Sequence, residues 1–412
     1  MEFQVVILAG GESSRFFPFN DIHKSFFRLA GKTILERTIE SIKKLKPKEI
    51  LLVLGSKNFE REKEICDSNP TFEGVRFIRE TSPLGQADAI LSAKEFIKGD
   101  FFVVNANQFN FHTIADEFIK RHKQSGDMVT LGITKTEMPF KYGVVELDKD
   151  RIRGIVEKPK AGSEPSNMRL VGIYLFSENF LVELVKTPPS DCSLEEALDV
   201  AAKNGKVGPV TLTLNTPSLK YPWDLFDLKD FIFSEMHYGI DRSAIIEKTA
   251  ILKGRDIYVG KNAHIYDFAI IEGPAYIGEG AVVGAYCQVR GKSVLGSGSQ
   301  IERYCDVKNT IIGDDTHFHS GFVADSVIGK DCRIGAEFIT ANKRLDRSTI
   351  RVIVKEKETD TGRDSVGIFI GDEVKVGIRV SSMPGAVVGP ESNVYPGVTI
   401  KGHNKKGSLV KN

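Results

Sequence analysis

The chain has little cysteine and a single tryptophan, no apolar run long enough to span a bilayer, and almost no excess of one charge. Each shortage excludes something. Its five cysteines, Cys66, Cys192, Cys287, Cys305 and Cys332, are odd in number and contain no C-x-x-C pair, so neither a disulfide framework nor a zinc finger is expected. They read as reduced packing residues. Fifty-six Lys+Arg against 55 Asp+Glu leave a formal charge of +1, and no net field directs the chain to nucleic acid or an anionic membrane. No stretch reaches the ~18 apolar residues of a transmembrane helix, and the opening MEFQVVILAGG places no basic leader ahead of its apolar residues. A cytoplasmic protein with no membrane or nucleic-acid partner is the expectation.

What is present falls into two patterns. With 41% hydrophobic and 27% charged residues the chain has the balance of a folded protein, and its 412 residues leave room for two or three domains at roughly 100–200 residues each. In the first part, apolar runs at 3–8, 49–54, 75–78 and 101–105 alternate with amphipathic helical stretches at 35–45 and 86–97. This alternation predicts βα units on a parallel sheet. Further strands are expected at 142–159 and 170–176, and this α/β domain is expected to span 1–236, ending after the helical run PWDLFDLKDFIF.

The second part, 237–412, has another period. At every sixth residue from 259 to 307 stand Val259, Ile265, Ile271, Ile277, Val283, Val289, Leu295, Ile301 and Val307, all apolar. A second series, Ile370, Val376, Ser382, Val388, Val394 and Ile400, departs only at Ser382, and glycine follows at 278, 284, 296, 371, 377 and 389. Such hexapeptide repeats predict a left-handed parallel β-helix with each short strand stacked on the coil below. The phase slips near Ile312, and RVIVKEKETDTGRD at 351–364 reads as a loop or arm leaving the coil. A solenoid exposes flat faces, and a homotrimer through the β-helix is expected.

Candidate chemistry begins after the first strand. There the chain reads Leu8-Ala9-Gly10-Gly11, followed by Arg15 and Lys24. A glycine pair lets main-chain N–H groups approach a polyphosphate closely, and two cations can neutralise charge that develops during phosphoryl transfer. Read alone, the segment is equally an ordinary βα turn beside two solvated cations.

It does not stand alone. LAGG-x-x-x-R-x-x-P with a later lysine, then LGQA, YGVVE, EKP, VGIY and YPWDL, in that order, resembles sugar-1-phosphate nucleotidylyltransferases. With the repeats behind it, nearly the whole chain resembles the bifunctional N-acetylglucosamine-1-phosphate uridylyltransferase and glucosamine-1-phosphate acetyltransferase type, in particular its archaeal-style relatives. The resemblance implies a Rossmann-like, GT-A-like nucleotidyltransferase domain followed by the β-helix. It implies in-line attack of a sugar 1-phosphate on the α-phosphorus of an NTP with release of pyrophosphate, usually with Mg²⁺. By motif, Leu8, Ala9, Gly10 and Gly11 would line the nucleotide, Arg15 and Lys24 would hold phosphates, and Gln86 and Ala87, in the loop 83–87, would meet the base. Gly143, Glu157, Lys158 and Gly172 fall at its sugar and sugar-phosphate contacts.

Four positions depart from that pattern. Asn107 stands where the family places a metal-binding aspartate, and an amide oxygen lacks the charge a hard dication needs. The stretch Asn215–Lys220, where a second ligand is expected, holds no acid and reads Ser218. Ser13-Ser14-Arg15 replaces Gly-Thr-Arg, and Leu170 replaces a sugar-contacting asparagine. Asn107 can also be read as a cap for the adjacent helix.

In the β-helix, His319-Ser320-Gly321-Phe322 matches the family's H-x-x-Y run, in which the histidine acts as general base for acetyl transfer from acetyl-CoA to a sugar amine. Phe322 lacks the hydroxyl of that tyrosine. Arg290 and Lys308 fall where the family grips the sugar phosphate, and Asn342 at an active-site asparagine; on a solenoid surface such cations also serve solubility. The leading expectation is an enzyme of nucleotide-sugar supply, a transferase that makes or acetylates an activated sugar. The alternatives are a catalytically degenerate nucleotide-sugar-binding regulator or scaffold, favoured by the absent carboxylates, and a purely structural β-helix, which leaves the first 236 residues unexplained.

Overall fold

A computed structural model describes residues 2–82, 84–213 and 217–411. The chain divides into two compact units, residues 1–12 with 34–216, and residues 13–33 with 217–412. The expected border at 236 therefore differs from the division at 216, because the helix Asp224–Glu235 is grouped with the repeats.

In the first unit, seven strands run across one sheet in the order 207–211, 129–135, 168–176, 101–105, 4–9, 49–54, 75–79. The strands Gln4–Ala9, Glu49–Leu54 and Phe101–Asn105 are near-continuous apolar runs and pair in parallel. Strands of that composition suit a sheet covered on both faces, and Val5–Ile7, Leu51–Leu54 and Phe101–Val104 are fully buried. The helix Ile34–Lys43 turns Ile34, Leu35, Thr38, Ile39 and Ile42 inward at helical spacing. The helix Phe111–Ser125 does the same with Phe111, Ile114, Ala115 and Phe118, and stops at Gly126 in the left-handed region. Asn110 stands at its N-cap position, with no side-chain cap hydrogen bond.

Strand Met168–Phe176 runs antiparallel to both 101–105 and 129–135, and its register shifts between Leu170 and Tyr174. Gly172 lies in that bulge with φ +77, and a Cβ there would strike the Asn105 amide. Only glycine meets both conditions. The hairpin Gly143–Asp148 and Arg151–Glu157 extends the sheet from this strand.

The second unit contains three parallel sheets of nine, nine and eight strands, the sides of the β-helix. The sixth-residue positions stack directly: Val259, Ile277, Leu295, Ile312, Ile328, Ile370 and Val388 are consecutive partners on one side. Val259 to Val307 in the first series are all fully buried. The phase slip is a shortening of coils, since Leu295 pairs with Ile312 and Ile312 with Ile328 instead of at the eighteen-residue spacing of Ile277 to Leu295. The arm is an antiparallel hairpin, Arg351–Val354 with Lys357–Asp360, after which the coil resumes with Ile370 on Ile328. Ser382 keeps its inward place, buried between Thr340 and Ile400.

Two further segments belong to this unit. The helix Asp224–Glu235 lies along the coils: the Trp223 and Phe226 rings approach Phe369, Asp230 accepts from Lys292 at 2.9 Å, and Asp227 pairs with Arg363. Residues 13–33 are pinned by Arg28 to Asp314 at 3.0 Å, Asp21 to Lys406 at 3.0 Å and Phe17 stacked on His403.

Candidate functional site

The glycine loop lies at the carboxyl ends of parallel strands, where open α/β sheets bind ligands. Leu8 and Ala9 end the first strand, with Leu8 beside Asn105 and Ala9 beside Leu54. Gly10 follows, and a Cβ on it would stand 2.5 Å from a carboxylate oxygen of Glu80. Glu80 itself follows the strand Val75–Arg79 and donates its N–H to Leu54 O at 2.9 Å. Burial, helped by the charge of Asp88, pushes its carboxyl up to about 7. Gln86 and Ala87 open the short helix Gln86–Ser92, whose preceding Gly85 sits against Asp191. Pro83, in the same loop, lies outside the described residues.

The four sugar-side residues fall on neighbouring strands of the same unit. Gly143 is opposite Glu157 in the hairpin, and Lys158 N–H donates to Tyr142 O at 3.1 Å. Glu157 accepts from Lys158 Nζ at 2.8 Å, a bond that raises the lysine. Nearby Glu195 is raised chiefly by burial and then by the charge of Glu157. Strand 168–176 connects the two clusters, with Leu170 packed against Gly143 and Gly172 against Asn105.

Arg15 and Lys24 lie in the second unit, on the segment pinned to the coils. Lys24 N–H donates to Ser13 Oγ at 3.0 Å. Burial lowers the Lys24 ammonium to about 8, Arg15 and Lys220 repel it in the same direction, and Asp224 opposes them. Arg15, Lys24 and Lys220 thus concentrate positive charge, a setting that favours an anion. Asp224, at the start of its helix, accepts the N–H groups of Lys220 at 2.6 Å and Tyr221 at 2.9 Å. Ser218 Oγ lies 3.5 Å from the same oxygen, while Asn215 and Thr216 lie outside the described residues.

A resident Mg²⁺ is the cofactor the resemblance implies. Its two expected positions offer an amide at Asn107 and a hydroxyl at Ser218, both neutral. Magnesium is ordinarily held through one or two carboxylates, which neither position supplies by itself; the carboxylate beside Ser218, that of Asp224, is already engaged by the N–H groups of Lys220 and Tyr221.

On the β-helix, register places Arg290 beside Lys308, and Asp306 beside Phe322, on successive rungs of one side. The Arg290 guanidinium grips Asp306 through two bonds of 3.0 and 2.9 Å. Asp325, nearly fully buried, gathers the next group: it accepts from Asn342 and from Asn309 at 2.6 Å, and lies 3.9 Å from Lys308 Nζ. Lys229, from the helix 224–235, donates to Asn309 Oδ1, and burial lowers its ammonium to about 7. Lys308 and Asn342 are therefore brought together through Asp325. His319 has a different partner, Glu302, whose Oε2 lies 2.8 Å from its Nδ1.

Glu80, Lys220, Glu302, Asp325 and Lys229 escape the sequence reading. Glu80 carries a usable signal, an acid directly after a strand in a parallel sheet. For the others the signal lies in partners many residues away.

The Nucleotidyl transferase family matches residues 4–212, and bacterial transferase hexapeptide repeats match 256–291. "Bifunctional protein GlmU" of Methanococcus maripaludis is 36% identical over 98% of this chain and 96% of its own length. The protein of the same name from Methanocaldococcus jannaschii is 31% identical over 96% of this chain and 93% of its own. The "Bifunctional sugar-1-phosphate nucleotidylyltransferase/acetyltransferase" of Sulfurisphaera tokodaii is 28% identical over 96% of each. With a nucleotidyl transferase region, hexapeptide coils behind it and relatives that span both, the chain belongs to the nucleotidyl transferase family, in the branch of these bifunctional proteins.

Proposed function

We propose that the chain is a bifunctional enzyme of nucleotide-sugar supply, which joins an NTP to a sugar 1-phosphate and acetylates an amino-sugar phosphate with acetyl-CoA. The observation that carries this reading is that a single relative named for both activities aligns with 96% of the chain, so neither part is left over.

In the first reaction a phosphate oxygen of the sugar 1-phosphate attacks the α-phosphorus of the nucleotide, a new P–O bond forms, and the bond to the departing pyrophosphate breaks. Positioning and charge neutralisation supply most of such catalysis. Main-chain N–H groups at Gly10 and Gly11, beside Leu8 and Ala9, receive the triphosphate, and Arg15 and Lys24 offset its charge. Gln86 and Ala87 face the base; Gly143, Glu157, Lys158 and Gly172 hold the sugar and its phosphate. Magnesium brought with the nucleotide would add to the neutralisation of its phosphates, and no step is assigned to Asn107 as its ligand.

In the second reaction His319 takes a proton from the sugar ammonium or amine, the nitrogen attacks the thioester carbonyl, and CoA leaves as its thiol after the proton returns to sulfur. An imidazole suits that role near neutral pH. Arg290 and Lys308 hold the sugar phosphate, with Asn342 beside them; Phe322 contributes packing where a hydroxyl would add a hydrogen bond. Three copies associate through the β-helix. The exposed ladder of Phe268, Tyr286 and Tyr304, with ring centroids 5.0 and 5.5 Å apart, supports that association. Among the described residues no helix is long and apolar enough to cross a membrane, and cytoplasmic residence fits substrates of this kind.

The test is a panel of NTPs with hexose 1-phosphates, glucosamine 1-phosphate and its N-acetyl form included, read by pyrophosphate release. A parallel assay reads CoA thiol release with glucosamine 1-phosphate. Absence of both products across the panel removes the proposal.

A further inference from the structure

We propose that Glu302, His317 and His319 form a binding site for a transition-metal dication of the zinc type on the outer face of the β-helix. His317 and His319 flank Phe318, whose side chain is fully buried in the core. Side chains alternate along a strand, so both imidazoles leave on the same outward face. Gln300 pairs with His317 and Ile301 with Phe318, which brings Glu302 level with His319 on the preceding coil. Its N–H fixes that register by donating to Phe318 O at 2.8 Å.

The three donor groups converge. Glu302 Oε1 lies 2.8 Å from His317 Nε2, and Oε2 lies 2.8 Å from His319 Nδ1. One ligand atom from each residue fits within a span of 4.8 Å. Two imidazoles and one carboxylate are the ligand set of open zinc sites, which leave a coordination position for water or another group. A lone carboxylate with two nitrogens is a poor set for magnesium or calcium, which take oxygen. The ligands stand on adjacent rungs held by main-chain bonds, so small side-chain rotations exchange the present hydrogen bonds for metal bonds. Entry is open, since about half of the His319 side chain is exposed (52%).

A metal here engages the nitrogen lone pair that His319 needs as a base, so zinc would inhibit acetyl transfer; that consequence rests on the function proposed above, while the site itself does not. The experiment uses the full chain, titrated with Co²⁺ by visible absorption and with Zn²⁺ by calorimetry in buffer free of phosphate and thiols. One ion per chain with a cobalt d–d band is expected. His317→Ala and Glu302→Gln should each weaken binding about tenfold or more, in line with losses seen when metal sites are disturbed, and His264→Ala should not. His264 serves as the control because it pairs with Glu247 at 3.0 Å elsewhere on the coils.

No cobalt band, equal affinity in the parent and both ligand variants, or equal weakening by His264→Ala would overturn the site. A ligand variant that melts below the parent is replaced by His317→Gln, for which the same weakening is expected and parental affinity overturns the site. CoA release is read separately on metal-free protein in the presence of a chelator: absent transfer there, with intact cobalt binding on loading, supports the metal site and removes the acetyltransferase assignment alone. Intact transfer without cobalt binding removes the metal site alone.

Discussion

The carboxyl ends of the first unit's sheet and the outer face of the β-helix solve the same problem, holding charged groups in fixed positions, by opposite means. In the sheet, Gly10 is so close to Glu80 that a methyl group there would have to displace the Glu80 carboxylate, and burial carries the carboxyl of Glu80 to about 7. On the β-helix, Arg290 and His319 stand at the surface, each held by a carboxylate on a neighbouring rung. Glu302 is lowered, first by its bond to His319 and then by that to His317. Burial shifts the Glu80 carboxyl upward, whereas partners on a neighbouring rung shift that of Glu302 downward. A buried site is therefore sensitive to volume and pH, and a solenoid site to loss of a partner.

The comparison predicts that the two activities can be removed separately. The largest effect is expected for His319→Ala, which should lower CoA release by roughly 10²–10⁴, the usual contribution of a general base, with pyrophosphate release unchanged. An equal fall in both assays would show that the two parts are not independent. Next, Lys24→Ala should lower pyrophosphate release by about 10²–10³, the scale of losing one group that stabilises transition-state charge. CoA release should hold in that variant.

The pH profile sharpens the contrast. Lys24 titrates at about 8 in the folded chain, against 10.5 for an ordinary lysine. The kcat/KM of the nucleotidyl reaction should fall as pH rises through 8, and Lys24→Arg should move that limb to higher pH. Stability has the other sign: between pH 8 and 10.5 the unfolded chain binds more protons at this lysine, so its contribution to folding rises with pH across that window. Gly10→Ala displaces the end of the Glu80 side chain and should cost about 1 kcal/mol, the low end for overpacking, as seen in a slightly lower thermal midpoint. The smallest change is expected for Asn107→Asp, a gain of several-fold in magnesium-dependent turnover, because a carboxylate adds the charge a hard cation seeks. No gain would mean that position 107 does not meet the ion.

Most of the architecture was legible because it is periodic. The six-residue series from Val259 to Val307 named the core of the coils residue by residue, and the interruption at 351–364 located the arm. Continuous apolar runs located the parallel strands. The site was legible only where local chain chemistry announces itself, as in the glycine pair and the His319 run. Glu302 could not be found this way, since it reaches His319 across one coil, and neither could Lys229, whose partner Asn309 is 80 residues away. The grouping of 13–33 with the repeats was equally hidden, because Arg28 and Asp314 meet only after folding.

Element type, coil period and family followed from the sequence by itself, because they depend on local spacing of apolar residues, glycines and ordered motifs. Which charges are buried together or share a rung, and so which lysine is lowered, which carboxyl is raised and which histidines converge, was decided by the tertiary structure. Those properties depend on distance and burial, and neither exists until remote segments pack.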